Sequence, residues 1–384
     1  MKNSNDVVEL LRSLVQINTC QPEGNEKELV DFLKEIFAPY GDAVKMNEIS
    51  HSDERSSLVV RLGPDLAGGI AFVGHVDTVP VGDLNKWSYD PHAAESREGK
   101  MVGRGTCDMK GGVAAMTVAA LDCLESGMVF EKPLYLTYTA DEEQDGMGAK
   151  AVVESQLLEK APVFVIPEPT DNKIAIAEKG CLWLRIQLEG KIAHGSKPEV
   201  GINAVEAAID LAKNFKAALP RLERHKLLGE FTCAVTRLEG GIMTNIIPEL
   251  AVIEMDLRTL PVQEHAQILD ILDKCSEQIR EAYPGLAIKT EVLKDFLPVE
   301  TDEDDDFVQF VQKHVKAVGL PDQVHGMTYA TDAADIVKAY PRPFVIIGPG
   351  HESMAHQVDE TVKLDSLFQA VEVYKKLIQE SCAS

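Results

Sequence analysis

The sequence predicts an α/β fold: a larger domain with a mostly parallel, mixed sheet flanked by helices, and a small α+β domain inserted into it. Three observations lead there. Short apolar runs bounded by turn residues alternate with helical stretches, as in strand–helix units on a parallel sheet. Between residues 181 and 293 the texture changes to period-two alternation, expected of half-exposed antiparallel strands. The chain has 384 residues, long for one core, so two domains are expected. The predicted boundaries are 1–180 with 294–384 for the larger domain and 181–293 for the insert.

The elements follow in order. Leu29, Phe32, Leu33, Ile36 and Phe37 recur on one helical face, so the first forty residues read as helical. Strands are predicted at SLVVRLG (57–63), GIAFVGH (69–75), LYLTYTA (134–140) and VFVIPE (163–168), with helices near 109–125 and 146–158. In the insert, CLWLRIQLEG (181–190) and AVIEMDLRTL (251–260) alternate, with Ile253, Met255 and Leu257 on one face. Helices at 203–215 and 262–283 complete a strand–helix–strand–strand–helix–strand order. FVIIG (344–348) reads as one more buried strand, DEDDD (302–306) as an acidic helix start, and 364–382 as a closing helix.

Composition excludes several functions. With 38 basic and 62 acidic residues, the net charge of −24 and the lack of a polybasic stripe argue against a nucleic-acid or membrane partner. The start, MKNSNDVVELLRS, lacks an apolar core of signal-peptide length. GGVAAMTVAAL (111–121) is too short and too rich in small residues to span a bilayer. Seven scattered cysteines with no C-x-x-C pair indicate neither a disulfide framework nor a thiolate zinc site. A cytoplasmic location is expected.

Polar residues of metal-binding type stand where open α/β sheets present ligands, after the strands. GHVDTVP puts His75 and Asp77 at a strand end, on one side of an extended segment, where Asp77 could orient the His75 ring; a loop histidine beside a solvated aspartate is the plainer reading. Asp108, in GRGTCDMKGG, opens a helix and could simply cap it. TADEEQDG sets Glu142 and Glu143 side by side, which a helix N-terminus would also favour. Glu168 sits between two prolines that stiffen its backbone. GPGHESMAHQVDE adds His351 and His356, either of which alone would more often be structural. Their joint occurrence carries the argument. His75, Asp108, Glu143, Glu168 and His356 make two imidazoles and three carboxylates, a set suited to zinc and, less tightly, cobalt or manganese. Without metal, buried carboxylates so close would raise one another's pKa.

GHVDTVP, GRGTCDMKGG, TADEEQDGMGAK, IPEPT, AHGSKPEVGINA, GGIMTNIIPE and AHQVDE together resemble the motifs of the two-zinc amidohydrolases and peptidases, and within them the acetylornithine deacetylase and succinyl-diaminopimelate desuccinylase group. The resemblance runs in order from about residue 8 to 375. It implies that the larger domain is catalytic, that His75 and Glu168 hold one zinc, that Glu143 and His356 hold the other, and that Asp108 bridges both. Asp77 would support His75, and Glu142 would be the general base for attack of a metal-bound water, whose pKa falls to roughly 7. His194 matches an oxyanion donor supplied by a partner subunit, which implies a homodimer formed through the insert as a lid and dimerisation domain. Asn245, Arg258, Thr331 and Asp332 match substrate-side positions; an arginine fork suits a carboxylate, although Arg258 could equally pair with Asp256 or Glu254. His351 matches no role and reads as structural, and Cys107 as packing.

The implied function is zinc-dependent hydrolysis of the amide bond of a small N-acylated amino acid, acetylornithine-like or succinyl-diaminopimelate-like. A dipeptidase or aminopeptidase on the same scaffold is the alternative. A catalytically silent metal-dependent binding protein is a third, disfavoured because Glu142 stands beside all five ligand positions.

Overall fold

Two strands buried along their whole length, Ile70–His75 and Leu134–Thr139, lie at the centre of the larger unit. A strand covered on both faces must be apolar throughout, which is why these segments read as continuous runs. The computed structural model describes residues 5–383, so the first four residues of the N-terminal stretch read above lie outside the described residues. The chain divides into two units. One comprises the chain up to Ile176, Glu300–His325 and the chain from Thr331; the other comprises Ala177–Val299 and Gly326–Ala330.

In the first unit six neighbouring strands of a nine-stranded sheet run Val44–Ser50, Ser56–Leu62, Leu134–Thr139, Ile70–His75, Phe164–Ile166, Phe344–Ile346. The last four are mutually parallel, and the first two pair antiparallel at the edge. The four parallel strands therefore end side by side. Their carboxyl ends lead into His75, Glu142–Glu143, Glu168 and the loop that carries His356.

Helix Lys110–Glu125 covers this sheet with almost all of its residues buried, and it packs against Leu364–Cys382 and Asn5–Gln16. Its small residues permit the close approach: a Cβ on Gly112 would lie 2.0 Å from the Pro167 carbonyl oxygen. The segment that looked too short for a bilayer is thus a core helix. No helix among the described residues is long and apolar enough to cross a membrane. Two features escape a reading by periodicity. Edge strand Val44–Ser50 and the hairpin Glu95–Arg97 with Lys100–Val102 are polar and mostly exposed or half-buried, so neither shows an apolar pattern.

The second unit is a four-stranded antiparallel sheet ordered Thr232–Gly240, Leu250–Thr259, Gly180–Glu189, Ala287–Phe296. Helices Ala204–Ala218 and His265–Ala282 cover one face, burying Leu182, Leu184, Ile186 and Leu188 with Ala251, Ile253, Met255 and Leu257. Asn203 caps the first helix, its Oδ1 accepting from the amides of Val205 and Glu206. Thr232–Gly240 lies at an edge of the sheet with Val235 and Leu238 exposed.

Candidate metal centre

The two histidines of the site meet on one carboxylate. Nε2 of His75 is 3.2 Å from Oδ1 of Asp108, and Nε2 of His356 is 3.3 Å from Oδ2 of the same residue. Glu168 stands 3.5 Å from His75 Nε2, and Glu143 stands 3.0 Å from His356 Nε2. Two groups able to hold a metal ion result, His75–Asp108–Glu168 and Asp108–Glu143–His356, and they share Asp108. His75, Glu143 and Glu168 follow strand ends, Asp108 comes from the turn before helix Lys110–Glu125, and His356 from the loop after Phe344–Ile346. His356 is in the left-handed backbone region, φ 62°, and half exposed, whereas His75 is buried.

The supporting contacts are specific. Nδ1 of His75 lies 3.0 Å from the main-chain oxygen of Asp77, and donating there leaves the Nε2 lone pair directed toward Asp108 and Glu168. The Asp77 carboxylate is 3.6 Å from that ring and has other work. Its Oδ1 accepts from the Glu142 amide at 3.1 Å, and its Oδ2 from the Glu143 amide at 3.2 Å and Gln21 Nε2 at 2.9 Å. Gln21 Nε2 is also 3.3 Å from Glu26, which Arg55 binds with Nε at 3.0 Å and Nη2 at 2.6 Å while reaching Asp141 at 2.9 Å. Sequence reading gave Gln21, Glu26, Arg55 and Asp141 no part. A buried glutamate in a helix would have been the available signal, and nothing local distinguishes it from an exposed one.

Electrostatics favour more positive charge at this spot. Burial pushes the Glu168 carboxyl well above its usual range, reinforced by the charge of Asp108. Glu143 is raised for the same two reasons, against the opposing bond from His356. Asp108 is held well below the carboxylate range: burial would raise it, but the bonds from His356 and His75 prevail. Those bonds push His356 up to about 10, chiefly through Asp108 and then Glu143. Glu142 is buried, and its charge acts on both His75 and Glu168. Four acids around two imidazoles leave an excess of negative charge that a pair of divalent cations would offset, so the donor set fits such ions.

Other predicted residues lie as follows. His351 is exposed, its Nδ1 accepting from the Ser353 amide at 3.2 Å. Cys107 is buried, and burial pushes its thiol far up, which suits packing and not nucleophilic attack. Thr331 accepts from the Ala333 amide at 3.1 Å at the start of helix Ala333–Ala339, and Asp332 is buried and accepts from the Thr139 hydroxyl. In the second unit, exposed His194 pairs with Ile246 on a two-residue ladder, and its Nδ1 accepts from the Ser196 amide at 3.1 Å. The Gly195 amide donates to the Asn245 carbonyl at 2.7 Å, which places His194 and Asn245 at one end of that ladder. Arg258 holds Asp256 with Nε at 2.8 Å and Nη2 at 3.1 Å, the neighbouring ion pair that its strand position allowed.

Residues 71–380 match the profile of peptidase family M20/M25/M40. The chain belongs to this family. As an M20/M25/M40 protein it is a metal-dependent hydrolase of linear amide bonds. A probable succinyl-diaminopimelate desuccinylase of Staphylococcus epidermidis is 28% identical over 97% of each chain. An acetylornithine deacetylase of Proteus mirabilis is 28% identical over 98% of this chain and 96% of its own. Aminopeptidase PepT from Bacillus cereus shares the fold, with a TM-score of 0.81 over 98% of both chains at 22% identity.

The AHQVDE motif of this M20/M25/M40 chain ends on a further residue of the site region, Glu360. Glu360 is fully buried, and its Oε1 accepts from the amides of Cys107 at 2.8 Å and Asp108 at 3.0 Å. Its Oε2 meets Arg104 Nη1 at 2.6 Å. Burial pushes its carboxyl up to about 7 against the pull of Arg104 and those amides.

Proposed function

We propose that this protein is a zinc-dependent deacylase that cleaves the amide bond of a small N-acylated amino acid. The observation that carries the reading is Asp108, whose two carboxylate oxygens face two different histidines, with Glu142 buried alongside. His75 and Glu168 would hold one ion, Glu143 and His356 the other, and Asp108 both. Ions held there would lower the pKa of a water to near neutrality and would supply positive charge for the oxyanion. Glu142 would take a proton from the attacking water on a carboxylate oxygen and pass it to the departing nitrogen as the C–N bond breaks. Asp77 fixes the main chain of Glu142, so the base is held while it exchanges that proton.

The second unit is assigned the lid and dimerisation roles, with the homodimer formed through it. The exposed edge strand Thr232–Gly240 supports that reading. His194 from one copy would serve the oxyanion in the other, Asn245 and Arg258 would hold substrate, and Thr331 with Asp332 would belong to the substrate side. Seven free cysteines suit the reducing cytoplasm. Two curated relatives, one named a probable desuccinylase and one a deacetylase, favour an acylated amino acid over a dipeptide.

The test is hydrolysis by zinc-loaded protein of N-acetylornithine, N-succinyl-diaminopimelate and several dipeptides side by side, with a chelator control. Chelator-sensitive release of one acyl group supports the proposal. Cleavage of dipeptides alone would replace it with the peptidase reading.

A further inference from the structure

Glu360 joins two segments that supply the metal-capable group Asp108–Glu143–His356. It lies four residues beyond His356, and every hydrogen bond described for it runs to the turn that carries Asp108. Its Oε1 receives the consecutive amides of Cys107 and Asp108, at 2.8 and 3.0 Å. Its main-chain oxygen receives the Gly103 amide at 3.0 Å and the Thr106 hydroxyl at 3.3 Å. Arg104, from the same turn, supplies the counter-charge at 2.6 Å and is itself stacked 5.3 Å from the Trp87 ring. A carboxylate accepting two adjacent amides fixes the direction of the peptide between them, and ionised acceptors make the shorter, stronger bonds.

We propose that Glu360 is a positioning residue that holds Asp108 and the His356 loop at a common distance, and so sets the affinity of the ion held by Asp108, Glu143 and His356. The inference rests on the reading that those residues bind metal. Glu360 touches neither substrate nor ion in this role; it acts through the main chain of Asp108. The group His75–Asp108–Glu168 shares only Asp108 with this clamp, so its ion depends on Glu360 less.

The experiment measures zinc binding by chelator competition in the full-length protein and in Glu360→Gln and Glu360→Ala, with hydrogen exchange of the segment 103–109 in the metal-free state. Glu360→Gln keeps an acceptor oxygen but loses the charge, and it is the informative variant if Glu360→Ala does not fold. The expected result is a graded loss of affinity for one of the two zinc ions, about 10-fold for Glu360→Gln and up to about 100-fold for Glu360→Ala, with a smaller loss for the other. Faster exchange confined to 103–109 should accompany it. Unchanged zinc affinities in folded variants of a protein that binds two ions would overturn the role of Glu360 alone. So would an equal loss at both ions accompanied by a general fall in thermal stability, the mark of a merely structural residue. A parent protein that binds no second zinc would overturn the metal reading and this inference with it.

Discussion

The main-chain amide of Glu142 donates to Oδ1 of Asp77 at 3.1 Å, and the next amide, that of Glu143, donates to Oδ2 at 3.2 Å. One buried carboxylate thus fixes the backbone of both acids, and Gln21 Nε2 completes its set at 2.9 Å. Asp77→Ala strands the Glu142 and Glu143 amides, whereas Gln21 Nε2 keeps Glu26 at 3.3 Å, and each stranded donor costs on the order of 1–3 kcal/mol. The metal-free variant is expected to lose at least about 2 kcal/mol in urea unfolding, with Asp77→Asn intermediate. A loss below about 1 kcal/mol for Asp77→Ala would show that water replaces the carboxylate.

Glu142 and His356 should separate chemistry from metal binding. Glu142→Ala is expected to lower kcat by roughly 100- to 10,000-fold while both zinc ions stay bound. His356→Ala should instead leave one zinc per chain by elemental analysis. Near-parental turnover in Glu142→Ala would remove that residue as the base.

Gly112 has no room for a side chain, because a Cβ there meets the Pro167 carbonyl at 2.0 Å and the Pro167 ring at 2.7 Å. The contact is with backbone next to Glu168, so the helix or the strand end must shift. Gly112→Ala should cost about 1–3 kcal/mol despite its higher helix propensity, and it should weaken zinc binding through Glu168. A thermal melt and a zinc titration check both; a melting point at or above that of the parent would refute the clash.

Asp332 is buried, accepts from Thr139 through one oxygen, and has no hydrogen-bond partner at the other. Burial pushes its carboxyl up from 3.8 to about 6, against the Thr139 bond. A carboxyl the fold prefers protonated contributes stability fully below the unfolded pKa and loses it as pH rises through the folded one. The window is therefore about pH 4 to 6, and the ionised form above it costs on the order of 2–3 kcal/mol. Metal-free Asp332→Asn should be more stable than the parent by roughly 1–3 kcal/mol at pH 8 and no more stable at pH 4. Equal differences at both pH values would exclude titration as the cause.

Much of the fold was legible because its elements are written in local pattern. Strands Ile70–His75 and Leu134–Thr139 announced themselves as apolar runs since both faces are covered, and Leu250–Thr259 by alternation since one face is. Val44–Ser50 escaped because its mostly half-buried, polar face shows neither pattern. The ligand-type residues were legible through their place after strands, where a parallel sheet must leave polar groups.

The sequence by itself determined these elements and the residue types at their ends, because backbone period and turn chemistry depend on near neighbours. It did not determine which polar atoms meet. Asp77 lies 65 residues from Glu142, and Glu360 lies 252 from Asp108. Those pairs form only once the strands take the order Leu134–Thr139, Ile70–His75, Phe164–Ile166, Phe344–Ile346, which is not their order along the chain. Sheet order is set by long-range burial of whole faces, and it alone turned scattered acids and histidines into one centre that shares Asp108.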